Sequence, residues 1–253
     1  MRDIVQSFAR WPFWSVMAWQ DIKQRYRGST LGPFWSTANL LVVVLGIGIL
    51  FSAIFDQPLE TFIPYITAGM FVWTFISTTI TESVNAYVVA GPLIRQTQTP
   101  MLLFVLRVVY RNAIVMAHNV LVVAVVFAYF QVLPDFLYLL LGLVLIIANV
   151  IWISTLVALF ATRYRDANQA ITHLLSLALF LSPIFWPVSA ASERAAFILY
   201  NPFAHLLEVV RSPLLGDPPA MLSVIICVVM AVVGFAFAAL IHGGVRRRIV
   251  FWL

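Results

Sequence analysis

Residues 33–55, 136–162 and 220–241 form long apolar stretches, each of more than 20 residues, without a single charged side chain. A helix of about 20 apolar residues is long enough to cross the ~30 Å hydrocarbon core of a bilayer. Of the 253 residues, 62% are hydrophobic and 10% are charged, against about 25% charged residues in soluble domains. The sequence therefore predicts an all-α integral membrane protein, because a helix satisfies its own backbone amides in lipid.

Three weaker segments bring the predicted spans to six: residues 62–89, 105–130 and 170–187. The first carries Glu82 near its end, and an acidic residue inside a span is a functional candidate by default. Pairing of Glu82 with Arg107 or Arg111, which would be structural, is the favoured interpretation. The last segment is short and contains Pro183 and Pro187, so we expect it to enter the membrane as a broken helix.

We predict a single domain with no internal repeat. It comprises an N-terminal interface segment (residues 1–32), spans 1–5 (33–188), a pair of short outer gate helices (189–219), and span 6 with a cytoplasmic tail (220–253). The two outer helices, residues 189–200 and 203–215, are separated by the Asn201-Pro202 break and form a re-entrant pair. Glu208 and Arg211 lie three residues apart, so they can pair on one helical face.

Basic residues are distributed unevenly between the two sides of the predicted topology. Thirteen of the fifteen lie on one side, which the positive-inside rule makes cytoplasmic. The net charge of +5 therefore reflects membrane orientation rather than nucleic-acid binding. We expect a multi-pass protein of the bacterial inner membrane with both termini in the cytoplasm; the absence of Asn-x-Ser/Thr signals favours a bacterial source.

The segment before the first span combines an interface helix with a candidate anion site. Residues 11–27 predict an amphipathic helix in the interface plane, either a simple anchor or a docking element for a partner. Pro33 suits the first turn of span 1, which would leave free N–H groups and the positive end of the helix dipole at the cytoplasmic face. With Arg25, Arg27 and the Gly28–Gly32 turn, this predicts a diphosphate site. A turn whose arginines bind lipid headgroups is an equal alternative.

The sequence lacks the residues that ATP binding, a metal site or a disulfide would need. The only lysine, Lys23, is not in a Gly-Lys-Ser/Thr phosphate loop, so ATP would have to be handled by a partner. The four histidines show no ligand spacing, so we expect no metal site. The single Cys227 excludes a disulfide within the chain.

Five segments, in order, resemble ABC-2-type permeases that export O-antigen, capsule and teichoic-acid polymers. They are RYRGSTLGPFW (25–35), GMFVW (69–73), RYRD (163–166), SPIFWP (182–187), and NPFAHL with RSPLLG (201–206 and 211–216). The resemblance covers nearly the whole chain. It implies a homodimeric permease that binds two copies of a separate ATPase subunit, which uses ATP and Mg²⁺, while this chain carries no cofactor. The implied substrate is a glycan attached to a polyprenyl diphosphate.

The resemblance also implies roles for individual residues. It assigns lipid-diphosphate entry to the segment that contains Arg25, Tyr26, Arg27, Gly28, Leu31, Gly32 and Trp35. ATPase coupling falls within residues 91–103, including Pro92, Arg95, Gln96 and Pro100. An outer gate includes Pro183, Trp186, Pro187, Asn201, Pro202, Glu208 and Arg211.

Three alternative functions would require different sequence features. An ABC-2 permease for a drug or small lipid would share the topology but should lack the motif at residues 25–32 and the outer hairpin. A membrane glycosyl- or acyltransferase would need acids or histidines that converge on one loop. A proton-coupled transporter would need more intramembrane carboxylates than Glu82.

Overall fold

The computed structural model describes residues 2–96, 99–164, 166–186 and 197–252. Regular structure in these ranges is entirely helical, which confirms the all-α prediction. The helices are α1 (Arg2–Ala9), α2 (Trp11–Arg25), α3 (Phe34–Phe55), α4 (Leu59–Ser83), α5 (Ala86–Val89), α6 (Gly91–Gln96), α7 (Leu102–Phe130), α8 (Phe136–Arg163), α9 (Ala167–Leu181), α10 (Phe197–Tyr200), α11 (Pro202–Leu214) and α12 (Met221–Trp252).

Within the described residues, five helices are long and apolar enough to cross a membrane: α3, α4, α7, α8 and the Met221–Val245 part of α12. The chain is therefore a multi-pass membrane protein. Helix α9 corresponds to the predicted fifth span, but its 15 residues extend only about 22 Å at 1.5 Å per residue. It ends at Leu181, just before Pro183, as expected for a broken helix. A sixth crossing stays a prediction.

The predicted end of the second span is wrong. The second span does not continue to residue 89, because α4 ends at Ser83 and a turn at Val84–Asn85 leads into the short α5. The polar side chains at this end place it at the aqueous interface, where water can hydrogen-bond the amides released by a bend. The last helix runs well past residue 241, to Trp252, whose ring lies 5.3 Å from the Arg163 guanidinium at the end of α8.

Helix α4 lies at the centre of the bundle and packs against α3, α7, α8 and α11. Beside it, glycines let α8 approach its neighbours closely. A Cβ atom at Gly142 would lie 2.0 Å from the Val209 carbonyl oxygen, and one at Gly234 would lie 2.2 Å from the Trp152 ring. Such contacts exclude any larger residue unless the α11 backbone, at Gly142, or the Trp152 ring, at Gly234, moves. They hold α8, α11 and α12 together as a packed unit.

The predicted interface helix is present as α2, and it packs on the chain's own α7. Ala18 and Ile22 are buried in this contact, and the Trp14 ring meets Tyr110 edge-on at 5.4 Å between centroids. Trp11, at the start of the helix, and Trp19 are exposed. The helix therefore has one side fixed to the bundle and aromatic rings available to lipid headgroups.

Candidate functional site

The segment that joins α2 to α3 is a tight double turn. Gly28 and Gly32 adopt the left-handed backbone conformation, with φ of 80° and 56°, which is strained for residues with a Cβ. Ser29 Oγ accepts a hydrogen bond of 3.0 Å from the Gly32 amide and closes the second turn. The space above both glycines is open, since no atom lies within 4 Å of a Cβ built there.

The predicted row of free N–H groups at the start of the first span is wrong. Pro33 immediately precedes α3, and the amides of Phe34, Trp35 and Ser36 donate to carbonyl oxygens of the preceding turn at 3.0–3.3 Å. Overlapping turns of this kind satisfy the donors that a helix start would otherwise expose. A bound anion would therefore find the helix dipole here but not these amides.

Positive charge gathers instead beside this turn, around Glu82 at the end of α4. Arg25 Nη2 lies 2.6 Å from one carboxylate oxygen, and Arg111 Nη2 lies 2.6 Å from the other. Asn112 Nδ2 also donates to this carboxylate, at 2.8 Å. The predicted pairing of Glu82 with Arg111 is confirmed, and Arg25 was not expected to join it.

Asp21 on α2 forms the second half of the same network. Arg107 holds it with two hydrogen bonds, one of them 2.7 Å from Nε, and Arg111 Nη1 adds a third at 3.0 Å. Arg107 therefore pairs with Asp21 rather than with Glu82. Because Arg111 contacts both carboxylates, one connected cluster joins α2, α4 and α7.

Four charged members of the cluster line a cavity of about 230 Å³. Its lining combines polar and apolar residues: Arg25, Glu82, Asn85, Ala86, Val89, Phe104, Arg107, Val108 and Arg111. Three guanidinium groups face two carboxylates across the cluster, which leaves one net positive charge. The buried Nε of Arg111 has no hydrogen-bond acceptor among the described residues. The cluster therefore has positive charge to offer an anion, and it contains a buried donor that lacks a partner among the described residues.

The other predicted entry residues do not line this cavity. Arg27 is exposed on the turn and makes no ion pair with any described residue, while Tyr26 is half-buried. Leu31 and Trp35 are exposed and apolar, and they flank the turn on the lipid-accessible surface. Sequence reasoning missed Asp21, Asn85 and Asn112. A lone acidic residue in an otherwise basic segment was the available signal for Asp21.

The predicted coupling segment contains a short helix, α6, before residues 97–98, which lie outside the described residues. Pro92, Arg95 and Gln96 are exposed on this helix, whereas Ile94 and Pro100 are buried. Helix α6 contacts α5 and α12. The first three residues are therefore available to a partner, and Pro100 has a packing role.

At the opposite end of the bundle, Arg211 on α11 is buried among polar partners. Its Nη1 donates to the Tyr65 hydroxyl at 2.8 Å and to the Pro183 carbonyl at 2.5 Å. Its Nη2 lies 3.0 Å from Glu208, which confirms the predicted pair. Pro183 lies in the non-helical segment that follows α9, so Arg211 provides its carbonyl with the hydrogen-bond donor that a helix would otherwise supply.

Asn201 makes a second connection at this end. Its Oδ1 accepts from the Phe203 amide at 2.9 Å and caps α11, in which Pro202 is the first residue. Its Nδ2 donates to the Leu181 carbonyl and to Ser182. Trp186 is half-buried and donates to the Phe180 carbonyl at 3.2 Å. Pro187 and most of the predicted first outer helix lie outside the described residues.

The sequence model of the ABC-2 type transporter family matches residues 13–215, from the interface helix through α11. The chain belongs to the ABC-2 type transporter family. It is therefore a membrane-embedded transport subunit that works with an ATPase, rather than an enzyme. Relatives include the O-antigen export system permease protein RfbA of Klebsiella pneumoniae, 24% identical over 76% of both chains. The protein with this name from Myxococcus xanthus is 23% identical over 74% of both chains.

Proposed function

We propose that this permease exports a polysaccharide attached to a polyprenyl diphosphate across the bacterial inner membrane. The observation that carries the proposal is the cluster of Arg25, Arg107 and Arg111 around a cavity beside the Gly28–Gly32 turn. The relatives named as O-antigen export permeases support this substrate class. A drug or small-lipid permease of the same family has no comparable need for three arginines at one cavity.

The charge of the cluster suits a diphosphate diester. Such a group carries one negative charge on each phosphorus, and guanidinium groups bind phosphate oxygens with two parallel hydrogen bonds. Arg25 is the best placed to change partners, because it has the most exposed side chain of the three, at 38%. Arg27 lies on the adjoining turn and has no competing carboxylate among the residues that the structure describes, so it would meet the headgroup first.

The partners follow from the family and from what the sequence lacks. We propose a homodimer of this chain with two ATPase subunits, since the chain has no Gly-Lys-Ser/Thr loop. Helix α6 would enter a cleft of the ATPase with Pro92, Arg95 and Gln96 outward. Cross-linkers placed at positions 95 and 96 should reach the ATPase, and a probe at exposed Leu133 on the other face should not. Contact only from position 133 would refute this assignment.

We also propose that both termini are cytoplasmic and that α11 and the backbone after α9 form the outer gate. The orientation follows from the basic residues on one side. In a Cys227→Ala background, a membrane-impermeant thiol reagent added to whole cells should label Asp217→Cys and not Arg248→Cys. Labelling of Arg248→Cys from outside would reverse the topology.

The substrate assignment is tested by removing the chain from its native cell. Lipid-linked polymer should then accumulate inside, and wild-type chain should restore polymer at the surface. In proteoliposomes with the ATPase, lipid-linked glycan should stimulate hydrolysis, whereas the isolated chain should neither bind nor hydrolyse ATP. Normal surface polymer in the deletion strain, together with stimulation by drugs alone, would favour the drug-permease alternative.

A further inference from the structure

Another cavity lies towards the end of α4 that is remote from the arginine cluster. Its volume is about 900 Å³, near the upper end of the range of about 300–1,000 Å³ that is typical of small-molecule sites. Three helices form its walls, and we call it the α3–α7 groove. The lining residues are Leu41, Leu45 and Ile49 of α3, Leu59, Glu60 and Ile63 of α4, Val125, Val126, Tyr129 and Phe130 of α7, and Gln131 directly after α7.

The groove follows the membrane-spanning part of α3. Leu41, Leu45 and Ile49 are spaced four residues apart, so they lie on one face of the helix and extend about 12 Å along its axis. This length is close to half of the ~30 Å hydrocarbon core. Ile63 and Val126 are buried and form the floor, whereas Leu45 and Ile49 are exposed at the rim. The groove is therefore apolar along its length, about one leaflet deep, and accessible from the lipid.

Contacts near both ends of α3 hold this helix in place and leave the groove between them. Near the start of α3, Thr37 Oγ1 donates to Asn119 Oδ1 of α7 at 3.2 Å. Near its end, the Phe55 ring meets Phe62 of α4 at 6.4 Å between centroids. The α3 side chains that line the groove lie between these contacts in the sequence. A bound hydrocarbon chain would therefore fill the groove without breaking either contact.

Charged and amide side chains occur at only one end of the groove. Glu60 lies in the first turn of α4, and Gln131 caps the C-terminus of α7. Both are exposed, and neither side chain has a hydrogen bond or ion pair with a described residue. The carboxylate and the amide oxygen can accept hydrogen bonds, and the amide nitrogen can donate to a phosphate oxygen. An apolar length with such a polar end matches the shape and polarity of a phospholipid.

The charge at this end favours a cationic headgroup. An exposed carboxylate in a first helical turn is common by itself, because the helix dipole stabilises it. Here the carboxylate lies at the mouth of an apolar groove, and the predicted loops on this side contain only two basic residues, Arg194 and Arg211. Arg211 is buried and paired with Glu208, while Arg194 lies outside the described residues. A second copy of the chain thus offers few cations to Glu60, whereas a zwitterionic lipid supplies one with each headgroup.

We infer that the α3–α7 groove binds a phospholipid whose headgroup carries a primary amine, such as phosphatidylethanolamine. One acyl chain lies along Leu45 and Ile49, the amine donates to Glu60, and Gln131 bonds the phosphate. A quaternary amine has no N–H to donate, and a glycerol headgroup brings no positive charge, so lipids of both kinds bind more weakly. The site takes a lipid of the bilayer and does not depend on which substrate is exported.

Headgroup selection is tested on the full chain, purified in a mild detergent. Phosphatidylethanolamine, phosphatidylcholine and phosphatidylglycerol with identical acyl chains are added in equal amounts, and native mass spectrometry measures the bound lipid. Bound phosphatidylethanolamine should exceed each of the others roughly threefold to fivefold, the range expected for a partly exposed ion pair. Glu60→Gln should reduce the three lipids to about equal binding.

Asp56→Asn is the matched control for Glu60→Gln. It removes the same charge at the same end of the bundle, from a residue that does not line the groove. Asp56 has a left-handed backbone with φ of 50°, which asparagine tolerates. This variant should keep the preference for phosphatidylethanolamine. Equal binding of the three lipids by the wild type, or an unchanged preference in Glu60→Gln, would refute the site.

The position of the acyl chain is tested by filling the groove. Ile49→Trp places a large ring at the rim and should lower the amount of bound phosphatidylethanolamine roughly threefold. Val42→Trp is the control, because Val42 is exposed on α3 and does not line the groove, so its binding should match the wild type. Unchanged binding in Ile49→Trp would overturn the inference.

A second copy of the chain is the competing occupant of the groove. In a Cys227→Ala background, oxidation of Ile49→Cys in native membranes should give no disulfide-linked dimer, because lipid covers this position. Efficient cross-linking of two chains through position 49 would assign the groove to contact between copies and overturn the lipid site.

Discussion

The two ends of the bundle each carry an arginine cluster, and the clusters differ in what surrounds the charge. At the end that we propose to be the outer one, the Arg211 side chain is 4% exposed and bonds a carboxylate, a phenol and a carbonyl. At the opposite end, which we propose to be cytoplasmic, the side chains of Arg25, Arg107 and Arg111 are 38%, 20% and 15% exposed around an open cavity. The first arrangement has no room for a ligand, and the second has.

The difference teaches how to separate structural from functional arginines in a membrane protein. A fully bonded, buried guanidinium holds elements together, and its loss leaves several groups unsatisfied at once. A guanidinium shared with a carboxylate at a cavity can exchange that carboxylate for a phosphate. Effects on stability should therefore dominate at the outer end, and effects on binding should dominate at the inner end.

The largest effect is expected from Arg211→Ala. It removes the donor that holds the Pro183 carbonyl and Tyr65, and breaking a buried charge pair costs about 3–5 kcal/mol. The purified variant should lose much of its thermal stability in detergent, as measured by fluorescence-detected size exclusion after heating. Arg211→Lys should recover only part of it, because one ammonium cannot reproduce the forked contact. If Arg211→Ala is as stable as the wild type, the Arg211 cluster does not have the structural role that distinguishes it from the cluster around Glu82.

Arg25→Ala should have its main effect on binding. Loss of one charge-assisted contact costs about 1.5–3 kcal/mol, or roughly 10- to 150-fold in affinity for a short-chain, diphosphate-linked N-acetylglucosamine. Isothermal titration of the detergent-purified protein measures this. The complex with the ATPase should still assemble, and Arg25→Lys should restore part of the affinity.

Arg27→Ala should also lower the affinity for this ligand, because Arg27 lies on the adjoining turn and makes no ion pair with any described residue. If Arg25→Ala and Arg27→Ala both bind and export as the wild type does, these arginines are only headgroup anchors. Reduced protein in the membrane with normal export per molecule would lead to the same conclusion.

Asn201→Ala tests the outer end with a smaller perturbation. Removing a helix cap of this type costs about 1 kcal/mol, and the bonds to Leu181 and Ser182 are lost as well. The thermal midpoint should fall less than for Arg211→Ala, while diphosphate binding stays unchanged. Asn201→Asp should keep the cap and recover most of the stability. If Asn201→Ala instead lowers the affinity for the diphosphate ligand, the two ends of the bundle are energetically coupled.

The smallest effect is predicted for Glu82→Gln, and its sign is diagnostic. The substitution removes the carboxylate that competes for Arg25 and Arg111 while it preserves the shape of the side chain. A partly exposed ion pair contributes about 0–1 kcal/mol, so the diphosphate ligand should bind roughly two- to fivefold more tightly. Glu60→Gln, at the other end of α4, serves as the control and should not change affinity. Weaker binding by Glu82→Gln would assign Glu82 a direct role in holding the ligand.

The sequence was sufficient for features that depend on local pattern. Charge-free runs predicted the long helices, and the spacing of Glu208 and Arg211 predicted their pairing. It failed where the outcome depends on distant partners. No local signal connects Asp21 with Arg107, which is 86 residues away. The amides of Phe34 and Trp35 were predicted to be free. In the structure they donate hydrogen bonds to carbonyls of the preceding turn, and the sequence did not reveal the geometry of that turn. Residues whose role depends on such geometry need coordinates.

Helix α9 has a consequence for the lipid around the protein. Its 15 residues cover about 22 Å, whereas the hydrocarbon core is ~30 Å thick. Hydrophobic mismatch of this size is relieved when the adjacent bilayer thins, at a cost of fractions of a kcal/mol per Å. If α9 crosses the membrane as predicted, we therefore expect the bilayer to be thinner beside it than elsewhere. Lipids with short acyl chains would match the length of α9 more closely, so that less energy is needed to deform the bilayer.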